Sequence, residues 1–428
     1  MTNVAVGVEV VLPTPEAPVN AVGLEQEVVE VVPYCLSSEY GYQATRARYG
    51  IELTMLSLLT GFSVGKTTIG QLAENPLRMR SLVLESSGEP DPFLSLVPRR
   101  YGSSEVLTAA ADCLLARAAS ALLPLAGFEY DAARLYAKAL RRLQEAIRDA
   151  RVASGSDVLC AVQLLTLHEL LDTSRSEAWS HHVSGSVRIM KHRSPKPFQN
   201  EYEKALFQNH VGAVVSEALH SNSHCYLAEP SWTSLYESLI EKSDDLGERH
   251  ELVINARKLI FPLPGLWHDI SMALRSSDAT EREVVSELES RCRGLQAAYF
   301  GWLESYREHC IVKALSMPTE QEIHIRREVL GQALESLLIV DLLLATVSIS
   351  LSMTEHEIEA LASRIMELQK QPGPRHSWLF TGQEIGVAQV AIATKGLFAS
   401  DLSDLTPQEK AMERRKRYTV WSGLLRGC

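Results

Sequence analysis

Three consecutive amphipathic helices are predicted between Tyr130 and Lys196, and this stretch constrains the fold more than any other. The first helical segment reads DAARLYAKALRRLQEAIRDA and ends at RVASGS. The second reads DVLCAVQLLTLHELLD, and the third reads EAWSHHVSGSVRIMKHRSPKP. Because only short breaks separate them, the three helices must pack on one another to bury their apolar sides. The sequence therefore predicts the start of a helical core.

Each predicted helix carries apolar residues at spacings of three and four, which places them on one helix face. The sets are Tyr136, Leu140, Leu143 and Ile147 in the first helix, Leu164, Leu165, Leu167 and Leu171 in the second, and Trp179, Val183, Val187 and Met190 in the third. Ser156 is placed to cap the second helix at its N-terminus. Ser194-Pro195 is predicted to end the third.

Helical patterns continue on both sides of this stretch. SEVLTAAADCLLARAASALL precedes it and EYEKALFQNHVGAVVSEALH follows it. A long amphipathic helix is predicted between Thr280 and Cys310, with Val285, Leu288, Cys292, Leu295, Tyr299 and Trp302 on its apolar face. The most hydrophobic segment is EQEIHIRREVLGQALESLLIVDLLLATVSI, and it is expected at the centre of the domain. For the helix that follows, Thr354 and Glu357 are predicted to form a capping box at the N-terminus. No alternation of strands with helices appears, so the predicted class is all-α, a large domain of packed antiparallel helices.

Composition divides the chain into three expected segments. Residues 1–44 are predicted to be an acidic, flexible arm, residues 45–400 an all-helical regulatory domain, and residues 401–428 a basic C-terminal tail. The net charge of −11 argues against a chain that binds nucleic acid non-specifically over its whole surface. No uninterrupted apolar run is long enough to suggest a membrane span. The seven cysteines are scattered without any Cys-x-x-Cys, which favours reduced thiols in an intracellular protein.

Four segments carry a resemblance to a known family. In chain order they are LYAKALRRLQEAI, LHELLD, AWSHHVSGSVRIMKHRSP and ALHSNSHCYLAEPSW. Their order resembles that of the fungal-specific transcription factor domain, and the resemblance covers roughly residues 90–240. That domain is the regulatory region that follows the DNA-binding zinc cluster in binuclear zinc-cluster proteins. The resemblance implies an all-helical fold, transcription regulation, a nuclear location with a cytoplasmic one as the alternative, and target genes such as those of secondary metabolism.

The sequence departs from the family at its beginning. A binuclear zinc cluster needs six thiolates at short spacings beside Lys and Arg, whereas the first 112 residues contain a single cysteine, Cys35. Three interpretations follow. The chain is a regulator that works through partners, or it is a gene model that lacks its DNA-binding exon, or its helical domain has been recruited to another task such as catalysis.

Three local motifs resemble binding sites for nucleotides or metals, and their spacing argues against each. TGFSVGKTT at Thr60–Thr68 has its first glycine one residue too close to Gly65 for a phosphate-binding P-loop, and Asp341 at the end of LLIVD lies in a helical context. HELLD carries Asp172 where a zinc-binding helix needs a second histidine after His168. The remaining histidine set is His181, His182, His192, His220 and His224 with Cys225, and it does not supply an evident closed set of four zinc ligands. No metal and no cofactor are predicted.

Two groups of residues remain as candidate sites. If the domain is an enzyme, Glu169, Trp179 and His182 are the pocket candidates, because Trp179 and His182 lie three residues apart on one helix face. Trp179 and His182 could equally fill the core, and that interpretation is favoured. Near the C-terminus, Arg414, Arg415, Lys416 and Arg417 form a candidate nuclear-import patch, whose alternatives are a DNA contact and a solvated basic helix end.

The favoured functional interpretation is a transcription regulator that binds a protein partner or a small effector with its helical domain. The expected protein partner is a DNA-binding transcription factor or a co-regulator, and a homodimer is a further option. No zinc-cluster contact with DNA and no membrane association are expected. The alternative is an enzyme that acts on a small molecule in a pocket between helices.

Overall fold

A computed structural model describes most of the chain beyond Leu96. The described residues are 96–97, 99–122, 128–170, 178–275, 281–313, 318, 320–348, 355–370, 386–399, 402 and 405–426. Within these ranges the regular secondary structure is helical throughout and contains no β-strand, so the all-α prediction is confirmed.

The structure describes thirteen α-helices and one 3-10 turn within these ranges. Their bounds are α1 Glu105–Leu122, α2 Phe128–Arg148, α3 Ser156–Leu170, α4 Ala178–Arg193, α5 Glu201–His220, a 3-10 turn Tyr226–Ala228, α6 Pro230–Glu237, α7 Glu251–Ile260, α8 Leu263–Arg275, α9 Glu281–Lys313, α10 Glu320–Val347, α11 Glu355–Gln369, α12 Val387–Ala393 and α13 Pro407–Arg426.

The three helices predicted between Tyr130 and Lys196 are α2, α3 and α4. They form one layer with α1, in which α1 packs on α2 and α3, and α3 packs on α4. Helix α3 lies innermost, because every residue from Val158 to Thr166 is buried. The end of α4 is also as predicted, since Ser194 adopts a left-handed backbone with φ of 64° immediately before Pro195.

The predicted apolar stripe of α2 is wrong in two of its four positions. Leu140 and Ile147 are 36% and 48% exposed, whereas Leu143 is buried. The buried face is carried instead by the small residues Ala132 and Ala139. Alanine allows neighbouring helices to approach closely, and a count of large side chains does not identify such a face.

The predicted cap of α3 is also wrong. Ser156 is the first helical residue, and the carbonyl of Gly155 accepts the first helical hydrogen bond from Leu159. The Ser156 hydroxyl donates instead to Glu203 on α5 at 2.8 Å. A tertiary hydrogen bond has replaced the expected local one.

Helix α10 is the central element of the second half of the molecule. It contacts α7, α8, α9, α11, α12 and α13, and all its residues from Gly331 to Leu344 are buried. It is long and apolar enough to cross a membrane, but 89% of its apolar window is buried inside the protein. Such burial is what a core helix of a globular protein requires, in agreement with the sequence prediction.

The long helix predicted between Thr280 and Cys310 is α9. Of the six apolar positions predicted on its inner face, five are buried and Leu295 is half-buried. The heptad-like spacing thus identified the packed face of α9 correctly.

Part of the segment expected as a basic tail, residues 401–428, is helical. Helix α13 packs on α8, α10 and α12, and Trp421 and Leu425 on it belong to the same hydrophobic core as α10. Several features of the sequence analysis lie outside the described residues: the expected arm of residues 1–44, the TGFSVGKTT motif, Leu171, Asp172 and Thr354. The boundaries of the three expected segments stay predictions.

Candidate functional site

Two of the three pocket candidates meet at one end of the first helical layer. Glu169 lies at the C-terminal end of α3 and His182 in the first half of α4. The Oε1 atom of Glu169 is 3.6 Å from Nε2 of His182, and the two side chains are 0% and 10% exposed. Residues 13 positions apart in sequence are therefore brought together by the antiparallel packing of two neighbouring helices.

Two further side chains complete a polar cluster around Glu169. His168 places Nδ1 3.6 Å from the same carboxylate oxygen, and its ring stacks on that of Tyr136 with 4.6 Å between centroids. The Tyr136 hydroxyl lies 3.2 Å from Nε2 of His182, within hydrogen-bond distance. We call Tyr136, His168, Glu169 and His182 the Glu169 cluster. Helices α2, α3 and α4 each contribute to it.

The electrostatics of the cluster centre on an ionised carboxylate. Burial raises the pKa of Glu169, but the neighbouring His168, His182 and Tyr136 lower it by more, so the pKa lies well below its ordinary value. On α1, burial is the main cause that raises the pKa of the Cys113 thiol, and the Glu169 charge adds to it. Cys113 is therefore a neutral thiol rather than a nucleophile.

Several polar atoms of this region are buried without a hydrogen bond to any described residue. They are both carboxylate oxygens of Glu169, Nδ1 of His168 and Nε1 of Trp179. Trp179 stands one helical turn before His182 on α4 and is half-buried. Buried polar groups are almost always hydrogen-bonded, so these atoms call for a partner beyond the described residues, such as water, a ligand or another part of the chain. The arrangement can accept hydrogen bonds at Glu169 and donate one at Trp179.

Sequence reasoning identified Glu169 and His182 but not Tyr136 or His168 as members of one site. Tyr136 was assigned to a packing stripe, and nothing in its spacing indicated a polar partner on α4. His168 was considered only as a zinc ligand in HELLD, whereas its ring is directed to Tyr136 and Glu169. Asp172, the other end of that motif, lies outside the described residues.

The four consecutive basic residues near the C-terminus face two different environments. Arg414 and Arg417 are 6% and 3% exposed, and the Arg417 guanidinium lies 5.7 Å from the centre of the Phe398 ring. Arg415 and Lys416 are exposed. Nε of Arg415 donates to the carbonyl of Leu274 on α8 at 2.7 Å. In the folded protein, only the middle two residues of the candidate import patch are accessible.

The other histidines of the sequence set are dispersed. His181 and His192 are exposed on α4, and Cys225 is buried. His224 contacts Asp269 on α8, with 3.0 Å between Nε2 and Oδ1. His224 thus contacts α8, a partner that the sequence grouping of His220, His224 and Cys225 did not include.

A small cavity lies beside the other end of α4. It has a volume of about 100 Å³, with Phe198, Phe207 and Leu235 among its apolar lining and Arg193 and Glu203 among its charged lining. Nη2 of Arg193 donates to Oε1 of Glu203 at 2.9 Å. Pockets for drug-sized ligands are ~300 Å³ or more, so this cavity suits a fragment or a few water molecules.

Comparisons with known proteins identify the family of the chain. The sequence pattern described as "Fungal specific transcription factor domain" matches residues 69–379. A protein of Emericella nidulans named "Uncharacterized protein AN5342" is 30% identical over 105 residues, which is 24% of this chain and 22% of that protein. The match thus spans about a fifth of the length of that relative. No solved structure matches the chain. Because the family pattern extends over well more than half of its residues, the chain belongs to the fungal-specific transcription factor domain family.

Proposed function

We propose that this protein regulates transcription by binding a small polar effector at the Glu169 cluster. Membership of the family indicates a regulatory role. The proposal concerns the helical domain, which is the part of the protein that the family pattern covers. The observation that supports an effector at this place is the set of buried polar atoms without hydrogen-bond partners among the described residues.

The chemistry of those atoms defines the class of effector. A fully buried carboxylate favours a ligand with hydroxyl or amino donors. Trp179 Nε1, one helical turn before His182 on α4, is a buried donor without a partner among the described residues. An anionic ligand is disfavoured, because it would lie against the buried negative charge of Glu169.

The position of the cluster suggests how binding would be transmitted. Because α2, α3 and α4 each contribute a side chain, a ligand that bridges them favours one packing arrangement of the layer over others. A ligand shifts such an equilibrium only by its difference in affinity for the two arrangements. The surface that a DNA-binding partner or co-regulator binds would change with that packing. In a homodimer, the interface between the two copies would change in the same way.

A tethering assay tests the proposal. The full chain is fused to a heterologous DNA-binding domain, and expression of a reporter gene carrying its operator is measured. We expect the fusion to change reporter expression relative to the DNA-binding domain alone, and Glu169→Gln to alter that change because it removes the central charge. Glu145→Gln on α2, whose carboxylate is exposed, is the matched control and should behave like the wild type. If the full chain leaves the reporter unchanged, the regulatory function is refuted.

An enzyme remains the second candidate, since one observation favours it. The Tyr136 hydroxyl and Oε1 of Glu169 both lie close to Nε2 of His182, at 3.2 Å and 3.6 Å. An imidazole nitrogen beside a phenol and a carboxylate can act as a general acid or base. Turnover of a small molecule that is lost in both His182→Ala and Glu169→Gln, with helical circular dichroism unchanged, would favour the enzyme over the regulator.

Nuclear location and a role in secondary metabolism stay predictions. A nuclear role is what the family suggests, and the accessible part of the candidate import patch is Arg415 and Lys416.

A further inference from the structure

A second cluster of ligating side chains lies on a different part of the surface, between the end of α5 and α8. It consists of His224, His268 and Asp269, and one potential ligand atom from each lies within 4.8 Å of the others. The rings of the two histidines are 4.9 Å apart between centroids and inclined at 63°. The contact between His224 and Asp269 alone does not require the second imidazole at this distance.

The second imidazole is held in an orientation that suits a metal ligand. Nδ1 of His268 lies 2.6 Å from the carbonyl oxygen of Asn222, so an N–H at that position donates to the carbonyl and leaves Nε2 as the acceptor. Asn222 itself has a left-handed backbone with φ of 49°, and its Nδ2 donates to Ser271 at 2.7 Å. Metal-binding histidines usually donate their other ring nitrogen to a carbonyl or carboxylate in this way.

The carboxylate is oriented by a similar outer contact. Arg291 on α9 donates to Oδ2 of Asp269 at 2.8 Å, while Oδ1 faces Nε2 of His224 at 3.0 Å. The two oxygens therefore have separate partners, and Oδ1 is directed into the cluster. The Asp269 side chain is 27% exposed and that of His224 61% exposed, so a hydrated cation can reach both.

A glycine allows His224 to approach helix α8. A Cβ atom at Gly265 would lie 2.9 Å from Nδ1 of His224, closer than real Cβ contacts. The absence of a side chain at this position permits the ring to lie against the helix that carries His268 and Asp269. The three atoms nearest to that Cβ position all belong to the His224 ring.

We propose that His224, His268 and Asp269 bind a divalent transition-metal ion, with Zn²⁺ as the first candidate and water in the remaining coordination position. Two imidazoles and one carboxylate suit zinc and its neighbours rather than Ca²⁺ or Mg²⁺, which prefer all-oxygen sites. Tetrahedral zinc places its ligand atoms ~3.3 Å apart. The three ligand atoms lie within 4.8 Å of one another, so binding would draw them together by up to ~1.5 Å. The solvent-facing position is open to an exogenous ligand, as in zinc sites with three protein ligands.

The test uses the untagged full-length protein, freed of metal by chelator and then titrated. Zn²⁺ binding is followed by calorimetry, and Co²⁺ binding by its visible absorption. We expect one saturable equivalent, a Co²⁺ spectrum typical of nitrogen and oxygen ligands, and loss of affinity by at least ~10–100-fold in His268→Ala and in Asp269→Asn, since even outer-shell changes have effects of that size.

Controls decide whether the site or the fold has been lost. His192→Ala removes an exposed histidine outside the cluster and should bind as the wild type does. Gly265→Ala keeps all three ligands but crowds His224, and we expect weaker binding with unchanged helical circular dichroism. If His268→Ala unfolds, the nearly isosteric Asp269→Asn carries the test. Absence of saturable binding, or binding that persists at full affinity in Asp269→Asn, would overturn the proposal.

Discussion

A buried carboxyl group in the middle of α10 is expected to lower the free energy of unfolding as the pH rises. Asp341 is 1% exposed, and Nε2 of Gln296 on α9 donates to its Oδ1 at 2.9 Å. Burial raises its pKa from 3.8 to about 7, with the hydrogen bond from Gln296 opposing the rise and the charge of Glu357 adding to it. The neutral acid is therefore the form that the core accommodates best.

The sign and size of the effect follow from proton linkage. Between pH 4 and pH 7 the folded protein binds a proton at Asp341 that the unfolded chain has released, so the free energy of unfolding falls as pH rises. The stabilisation is fully present below pH 4 and is lost by about pH 7. From the two pKa values, the loss between pH 5 and pH 8 amounts to about 2.5 kcal/mol.

Asp341→Asn should abolish this loss. The amide has the shape of the neutral acid, and its Oδ1 can still accept from Gln296, but it does not titrate. Urea unfolding followed by circular dichroism should therefore show the variant gaining about 2.5 kcal/mol on the wild type when the pH is raised from 5 to 8.

The matched control is Asp244→Asn, which makes the same change at an exposed position. It should follow the wild type at both pH values, to within about 0.5 kcal/mol. A difference between Asp341→Asn and the wild type that does not change with pH, or that shrinks as pH rises, would refute the assignment of a raised pKa to this carboxyl.

Three further predictions concern the described helices. Leu143→Ala should lower the free energy of unfolding by about 2–5 kcal/mol, because this side chain is buried. Leu140→Ala should lower it by less than about 1 kcal/mol, because that side chain is 36% exposed. Urea unfolding of both variants tests which face of α2 is buried. Trp421→Ala should cost about 3–5 kcal/mol in the same assay, since the ring is fully buried; a cost near zero would contradict the docking of α13 on the core. Replacing Arg415 and Lys416 together by alanine should reduce nuclear accumulation of a fluorescent fusion and cost about 1 kcal/mol of stability, since the hydrogen bond from Arg415 to Leu274 is lost. Unchanged nuclear accumulation would exclude them as the import signal.

Much of the helical fold could be predicted because apolar periodicity dominates in long helices. Helix α9 shows this well, since its pattern of large residues from Val285 to Trp302 coincides with the buried face. The same reasoning failed on α2, where Ala132 and Ala139 form the contact and large residues are left outside. A periodic pattern of large side chains identifies the buried face of a helix only where the neighbouring helix is far enough away for large side chains to fill the space between the two.

The candidate sites were predictable only in part, because their members come from separate helices. Glu169 and His182 could be found since both flank one short connection, but Tyr136 joins them from α2 through a contact that no local spacing specifies. His224 and His268 are 44 residues apart, so only the packing of the α5 end on α8 brings them together. A site whose residues are brought together by tertiary contacts cannot be recognised from the local spacing in a single sequence.

Transcription regulation is the central claim, and newly synthesised RNA tests it most directly. In cells that express this protein, acute depletion of the chain should change the synthesis of a discrete set of transcripts, and re-expression of the wild type should restore them, with Glu169→Gln restoring them incompletely. An unchanged set of new transcripts after complete depletion would contradict the account.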